Sequence, residues 1–140
     1  YVAEDGTKKR PIMIHRVCFG SIERFIGILI EHFAGMFPTW LAPVQVKVLP
    51  ISEKFTDYAK SVKEQLDMAG IRTEIDNRDE KIGYKIREAR NERVPYMIVV
   101  GEKDMEANKV SLRSRANGEE GQFDLADVIE RVTKEIKERA

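Results

Sequence analysis

Arg24 is the first residue whose type and position could do chemistry, because it follows a glycine turn and a serine that can cap a helix, Gly20-Ser21. An arginine in the first turn of a helix holds its guanidinium beside the positive end of the helix dipole, which suits it to bind a triphosphate. The same stretch also fits an ordinary helix start, in which Glu23 is a capping carboxylate and Arg24 a surface cation. Spacing leaves both interpretations open.

His15 and Cys18 are residue types that can ligate a metal. They lie three apart in an extended stretch, where the side chains of such a pair point to opposite faces. Zinc needs three or four ligands from cysteine, histidine or carboxylate side chains, so this pair cannot close a site by itself. The spacing favours a structural or solvent-facing histidine, and Cys18 is most simply a small buried hydrophobe.

A basic stretch from about Asp79 to Arg93 could bind nucleic acid. Its apolar residues recur at helical spacing and predict a helix that docks on a sheet by one narrow face, with cations on both flanks. The pattern equally fits a solvated helix surface with internal ion pairs. The apolar residues are Ile82, Ile86 and Ala89, and the flanking cations are Lys81 and Lys85 on one side and Arg87 and Arg90 on the other.

Arg113 and Arg115 strengthen the nucleic-acid interpretation slightly. Both lie on the polar face of the alternating segment KVSLRSR, which predicts a strand. A guanidinium on such a face can fork onto a base edge or a phosphate.

The composition limits the functions that these residues could serve. Lys and Arg number 24, and so do Asp and Glu, so any site for a polyanion must be a local patch. The single cysteine excludes an internal disulfide and predicts a reducing, cytoplasmic location. The longest apolar run, residues 25–30, is too short to span a bilayer, and we expect no secretory leader. Because the chain starts at Tyr1, in a polar turn with no strand before it, we expect a fragment of a longer protein.

Two sets of elements must position these residues, with a stiff connector between them. Residues 11–19 are predicted to form a short extended strand, and Ser21 can cap a helix that runs to Gly35. This helix is apolar around most of its circumference, so it requires burial on more than one side. Residues 35–43 contain two prolines and a tryptophan and are the best candidate for a domain boundary.

The sequence after residue 43 predicts seven elements in the order β-α-β-α-β-β-α. VQVKVL alternates like a half-buried strand, Ser52 is expected to cap the next helix, and PYMIVVG is typical of a central strand covered on both faces. The last helix begins at about Asp124. This order indicates a three-layer α/β domain with a mostly parallel sheet and one antiparallel strand.

Two long segments resemble one enzyme family. The run RPIMIHRVCFGSIERFIGILIEHFAGMFPTWLAPVQV resembles the threonyl-tRNA synthetases nearly word for word, and its strand, glycine turn and Glu-Arg pair are similar to motif 3 of class II synthetases. The run EIDNRDEKIGYKIREARNERVPYMIVVGEKD resembles the anticodon-binding domain of the same enzymes. The resemblance covers the whole chain. It implies the end of a class II catalytic domain in residues 1–40 and an anticodon-binding domain in residues 41–140.

The resemblance implies roles for three residues of the first part. Arg24 looks like the class II arginine that contacts the ATP phosphates, and Ser21 would lie in the same pocket. His15 matches a zinc-ligating histidine whose partners, a cysteine and another histidine, occur much earlier in the full enzymes. There the zinc holds the amino group and hydroxyl of threonine, so that valine, which lacks a ligand atom, is rejected. Zinc and ATP-Mg are therefore expected in the full enzyme, and no cofactor is expected on this fragment.

The resemblance also implies anticodon recognition by the second part. Two matched positions differ from the family, which often has Asn where Asp79 stands and Glu where Asp104 stands. Asp104 keeps a carboxylate that can accept from a guanine edge, whereas Asp79 replaces an amide that can donate. The positions that match the family's anticodon readers are Asp79, Arg87, Asp104 and Arg113, with Lys81 and Lys85 as sequence-independent phosphate contacts.

The implied function is that of the C-terminal part of a threonine-tRNA ligase, which activates threonine with ATP and transfers it to tRNA(Thr). We expect this fragment to recognise the anticodon stem-loop and to lack ligase activity, and the full enzyme to be a homodimer. One alternative is a non-catalytic RNA-binding accessory module that kept the fold. Another is a small-molecule-binding α/β domain, although ISEKF stands where such a domain would have a glycine-rich phosphate loop.

Overall fold

A five-stranded sheet forms the centre of the computed structural model, which describes residues 1–139. Its strands are β1 (Val46–Pro50), β2 (Thr73–Ile75), β3 (Tyr96–Val100), β4 (Val110–Ser114) and β5 (Gly118–Phe123). Across the sheet they are ordered β2-β1-β3-β4-β5. β1 pairs in parallel with β2 and β3, while β4 pairs antiparallel with β3 and β5, so β4 is the one strand that runs against the other four. The mixed, mostly parallel sheet that the sequence predicted is confirmed.

Helices cover both faces of this sheet. Within residues 1–139 they are α1 (Ile22–Phe33), α2 (Thr56–Met68), α3 (Ile82–Asn91), α4 (Glu102–Ala107) and α5 (Leu125–Glu138). α2 and α5 pack on one face and α3 on the other, which is the predicted three-layer arrangement. None of the helices in this described range is long and apolar enough to cross a membrane.

Alternation along the central strand β3 divides the interior into two hydrophobic cores. Met97 and Val99 face α3, and the three residues that alternate with them face α2 and α5. The core under α2 and α5 includes Tyr96, Ile98, Val100, Ala59, Val62, Leu66, Val128 and Val132. The core under α3 includes Leu49, Ala89, Met97 and Val99, with Ile82 and Ile86 at its rim.

β1 is more deeply buried than its alternating sequence predicted. All five of its residues are buried, including Lys47, whose ammonium reaches the carboxylate of Glu92 just after α3. Helices on both faces of the sheet remove the exposed side that a half-buried strand would have. The expectation of a half-buried strand was therefore wrong, since the long side chain of Lys47 can be buried along its stem and still reach a partner at the rim.

Local expectations at three elements need correction. Ser52 precedes a 3-10 turn, Glu53–Phe55, without a capping bond from its side chain, and α2 begins at Thr56. The short helix α4 and the edge strand β5 were not predicted. The β5 sequence, GEEGQF, has two glycines and no apolar alternation, so its strand conformation depends on pairing with β4.

α1 begins as predicted but packs against little. The Oγ of Ser21 accepts a hydrogen bond from the backbone N–H of Arg24 at 3.3 Å, which caps the helix. The helix ends at Ala34, which is left-handed (φ 49°), immediately before Gly35 (φ 73°). No residue of α1 is buried, so the burial that its apolar surface requires is not supplied within residues 1–139.

The strand predicted for residues 11–19 does not form. A strand needs a partner for its backbone hydrogen bonds, and within residues 1–139 no other strand pairs with this segment. The polar turn before it closes on itself through an antiparallel bridge between Val2 and Lys8. Cys18 is exposed rather than buried, because the segment that carries it is not covered.

Candidate nucleic-acid interface

The face of the sheet under α3 is only partly covered. The core beneath this helix is built from β1 and β3 and does not extend to β4 and β5. Ser111 and Arg113 of β4 lie on this uncovered part, because the alternate residues Val110 and Leu112 belong to the opposite core. We call this surface the shelf. Its side chains are Ser111 and Arg113 on β4 and their register partners Gln122 and Glu119 on β5.

Lys85 lies on the flank of α3 that faces away from the shelf, and it is buried. It is 2% exposed, and its ammonium donates hydrogen bonds to the backbone carbonyls of Pro50 and Asp76, each at 3.1 Å. Because these carbonyls end β1 and follow β2, Lys85 ties the helix to the sheet. This burial does not favour the RNA phosphate contact predicted at Lys85, which stays a prediction. Residue spacing along a helix does not show which side of the helix a neighbouring loop covers.

The other flank of α3 carries exposed cations next to the shelf. Arg87 and Arg90 line a groove of about 370 Å³, and at Gly83 this groove is open, since an added Cβ atom would meet nothing within 4 Å. At its far end Arg93 also lines the groove, and its carbonyl accepts a hydrogen bond from Arg115 just after β4 at 2.9 Å. A hydrogen bond thus links the end of this groove to the segment that follows β4.

Arg113 stands on the shelf in an ion pair that can open at little cost. Its Nη1 donates to the carboxylate of Glu119 at 2.7 Å, and the Glu119 side chain is 71% exposed. Ion pairs exposed to solvent contribute about 0–1 kcal/mol. A phosphate or a base edge can therefore replace Glu119 as the hydrogen-bond acceptor of the Arg113 guanidinium.

Asp104 borders the shelf, but its carboxylate is occupied within the protein. Oδ1 accepts from Ser111 Oγ and from Gln122 Nε2, both at 2.7 Å, and Oδ2 accepts from the backbone N–H of Gly101 at 3.0 Å. Direct acceptance from a guanine edge would compete with these bonds. Sequence reasoning missed Ser111 and Gln122. Ser111 could have been found, because it alternates with Arg113 and so lies on the same face of the strand. Gln122 could not, because β5 was not predicted.

Asp79 and Lys81 are exposed in the loop between β2 and α3, at the flank that faces away from the shelf. The loop is held by Asp76, whose carboxylate accepts from Nε and Nη2 of Arg78 at 2.9 and 2.6 Å. These hydrogen bonds lower the pKa of Asp76 to about 2 despite the opposing effect of burial. The structure thus places Asp104 beside Ser111, two residues from Arg113 on β4, while Asp79 and Lys81 lie in the loop before α3.

Ser21, Arg24 and His15 do not form a closed site. All three are exposed, and the Oγ of Ser21 is used to cap α1. No three His, Cys, Asp or Glu side chains within residues 1–139 lie close enough to hold a metal ion together. His15 therefore does not fit a zinc site by itself, and Arg24 stands on an open helix surface that encloses no nucleotide.

The loop after β1 does not offer the phosphate site of a small-molecule-binding α/β domain. The cavity at this position, lined by residues 50–53 and 77–80 among others, has a volume of about 10 Å³. That is room for about one water molecule. This small volume disfavours the alternative of a small-molecule-binding domain, because such domains hold their ligands at this position.

Comparison with protein families identifies the domain that carries the shelf. Residues 45–135 match the family described as anticodon binding domain, and this range includes all five strands of the sheet. The chain belongs to the anticodon-binding domain family. Both the shelf and the groove of α3 lie within the matched residues, and the anticodon-binding domain expected from the sequence is confirmed.

Curated relatives of this anticodon-binding domain match along the whole chain. The threonine-tRNA ligase of Clostridioides difficile is 62% identical over 139 residues, and that of Caldanaerobacter subterraneus subsp. tengcongensis is 60% identical over 140 residues. The alignments cover 99% and 100% of this chain and 22% of each relative. The chain thus spans about a fifth of the length of these relatives, and its resemblance to the threonyl-tRNA synthetases is confirmed in both segments.

Solved structures agree with the sequence relatives. The RNA binding domain of threonyl-tRNA synthetase from Cryptosporidium parvum Iowa II superposes with a TM-score of 0.75 at 38% identity, covering 82% of this chain and 29% of that one. Histidyl-tRNA synthetase from Nostoc sp. PCC 7120 has a TM-score of 0.62 at 24% identity, covering 66% of this chain and 22% of that one. The second likeness shows a shared fold.

Proposed function

We propose that this chain is the anticodon-recognising part of a threonine-tRNA ligase and that it binds the anticodon stem-loop of tRNA(Thr). The observation that supports this most is that the shelf and the cationic groove of α3 lie on the same face of the sheet within an anticodon-binding domain. The identity of the tRNA follows from the threonine-tRNA ligases that the chain resembles over its full length.

The physical case rests on how proteins recognise RNA loops. Sequence-specific recognition targets unstacked bases in single-stranded loops, whose edges form hydrogen bonds with side chains and whose faces stack on aromatic or guanidinium planes. Arg113 can donate to base acceptors once it leaves Glu119. Arg87 can bind a phosphate or stack from the adjoining groove. The zero net charge of the chain is no obstacle, because Arg87 on α3 and Arg113 on β4 lie on the same face of the sheet.

Binding to two RNA hairpins tests this proposal. The dissociation constant of the 140-residue chain is measured for the anticodon hairpin of tRNA(Thr) and for a hairpin of the same stem with a scrambled anticodon. We expect the cognate hairpin to bind at least about tenfold more tightly, as one well-placed base contact provides. Equal dissociation constants for the two hairpins would reject anticodon recognition.

A charge-matched pair of variants tests where the RNA lies. Arg87→Gln removes a cation from the groove, and Lys60→Gln removes an exposed cation from α2 on the opposite face of the sheet. If Arg87 contacts a phosphate, Arg87→Gln should weaken binding of every hairpin and reduce the slope of log affinity against log salt by about 1. Lys60→Gln should leave both quantities unchanged, and an equal effect of the two variants would contradict binding at the groove.

For a protein as long as the relatives, we further propose ligation of threonine to tRNA(Thr) by way of threonyl-adenylate. Arg24 and Ser21 would then enter an ATP-Mg pocket and His15 a zinc site, each completed by residues outside this chain. The division into residues 1–40 and 41–140, the homodimer and the cytoplasmic location belong to the same proposal. Within residues 1–139 no side-chain group completes a metal site, and Arg24 is exposed on α1.

Threonine-dependent exchange of ATP with pyrophosphate tests this second proposal. The 140-residue chain should show no exchange. Exchange by this chain would contradict the proposal that residues outside it complete the ATP-Mg pocket and the zinc site. The complete gene product should show exchange, and Arg24→Ala in that protein should reduce it. A complete gene product that binds the hairpin without exchange would instead be the non-catalytic accessory module.

A further inference from the structure

Asp104 has little free capacity for a base, because three of the about four acceptor sites of its carboxylate are occupied. Its carboxylate accepts three hydrogen bonds, from Ser111 and Gln122 at 2.7 Å and from the N–H of Gly101 at 3.0 Å, and the residue is 5% exposed. A guanine edge that donated to both oxygens of this carboxylate would have to displace Ser111 or Gln122 from Oδ1. A displaced donor that stays buried costs the desolvation of its polar group.

Gln122 is in the opposite situation. It is exposed on the edge strand β5, directly across from Ser111 and on the same face as Arg113. One of its amide N–H groups donates to Asp104, so its carbonyl oxygen and its second N–H remain available. Because a carboxylate only accepts, the amide cannot flip without losing this bond. Asp104 therefore fixes the orientation of the Gln122 amide.

A fixed amide at the surface can read the edge of a base. Its oxygen accepts and its remaining N–H donates side by side, which matches a base edge that presents a donor next to an acceptor. Arg113, which only donates, stands two residues from Ser111 on the same face and complements a second acceptor.

We infer that Gln122 contacts an anticodon base directly and that Asp104 is a positioning residue that acts through it. This inference rests on the proposed binding of RNA at the shelf and names the side chain that makes the binding base-specific. It places the base contact on β5, one strand further out than Arg113. Ser111 supports the same carboxylate oxygen and is a second positioning residue.

The test uses the 140-residue chain and a set of tRNA(Thr) anticodon hairpins, each with one anticodon base substituted. Gln122→Met removes the amide and keeps the length of the side chain, and Gln65→Met is the matched control at an exposed glutamine of α2 on the opposite face. At one anticodon position, Gln122→Met should lose about tenfold of the preference for the cognate base. Its dissociation constant for the hairpin substituted there should not change, and Gln65→Met should behave like the unsubstituted chain.

A double variant shows whether Asp104 contacts the base itself or acts by positioning Gln122. Asp104→Asn should lose the same preference, and Gln122→Met combined with Asp104→Asn should lose no more than Gln122→Met does, because residues that act through one contact are not additive. A thermal unfolding midpoint for each variant shows that it folds. If Asp104→Asn does not fold, the Gln122→Met result decides the inference.

Three results would overturn the inference. Gln122→Met could keep full base preference while Asp104→Asn loses it, which would make the carboxylate the direct reader. Gln122→Met could weaken all hairpins equally, which would make Gln122 a general RNA contact. The unsubstituted chain could show no preference at any position, and in that case the proposed anticodon recognition fails as well.

Discussion

The helices α1 and α5 have similar lengths, 12 and 14 residues, and both carry an apolar stripe, but their surroundings differ. α5 buries Val128 and Val132 against the sheet. α1 buries none of its residues, and among its exposed apolar side chains are Ile22, Ile26 and Ile28. The comparison teaches that periodicity encodes which face of a helix must be covered and does not encode what covers it.

The connector between these regions forms its side-chain hydrogen bonds with the packed domain. Thr39 Oγ1 donates to a Glu135 carboxylate oxygen of α5 at 2.6 Å, and Arg115 Nη2 donates to the carbonyl of Phe37 at 2.9 Å. Arg72 Nη2 donates to the carbonyl of Trp40 at 2.8 Å. Residues 37–40 are thus anchored to the domain, and the boundary after residue 40 stays a prediction.

The largest expected effect compares one isoleucine from each region. Ile98→Ala empties a fully buried position in β3 and should lower the free energy of unfolding by about 2–5 kcal/mol. Ile28→Ala removes the same atoms from a residue of α1 that is 55% exposed, and it should change that free energy by less than about 0.5 kcal/mol. Urea titrations measure both. Equal losses would show that α1 is packed in solution.

A smaller effect is expected from two lysines at the start of α3. Lys85→Met leaves the carbonyls of Pro50 and Asp76 without their buried donor and should cost about 1–3 kcal/mol of unfolding free energy. Lys81→Met changes an exposed residue and should cost close to nothing. If Lys85→Met were neutral for stability and instead reduced the salt dependence of hairpin binding, Lys85 would be the phosphate contact that the sequence suggested.

Acid should destabilise the packed domain through two carboxylates. Hydrogen bonds from Arg78 lower the pKa of Asp76 from 3.8 to about 2, and hydrogen bonding led by Arg131 lowers the pKa of Glu120 from 4.5 to about 2. A carboxyl with a lower pKa in the folded state contributes stability above its unfolded pKa and loses it as the pH falls to the folded pKa. The free energy of unfolding should therefore fall between about pH 4.5 and pH 2. Asp76→Asn should be less stable at neutral pH and show a shallower fall, and an unchanged acid slope would remove Asp76 as a cause.

The smallest expected effect concerns the connector. Arg115→Gln removes a guanidinium that bonds the carbonyls of Phe37 and Arg93, and it should cost about 1 kcal/mol of unfolding free energy. The amides of Leu41 and Ala42, which bond within the connector, should then exchange with deuterium faster. Unchanged exchange in this variant would show that Thr39 and Arg72 suffice to hold the connector.

Elements with a strong period were predictable from the sequence, and elements without one were not. The apolar run of β3 and the stripe of α5 gave their positions and their burial. β5 was missed because its pairing with β4, rather than its residue types, makes it a strand. In the candidate site, Arg87 and Arg113 were predicted on accessible surfaces, and the structure places them there.

The order of the helices and strands, the apolar faces and the family resemblance were determined by the sequence itself, because they depend on residue types at short spacing. Which polar groups meet was decided by the tertiary structure. Lys85 became a buried support because carbonyls from two separate strands converge on it, and Asp104 turned inward because Ser111, Gln122 and Gly101 surround it from three different segments. These contacts join residues that are far apart in the chain, so the local spacing of residue types cannot predict them.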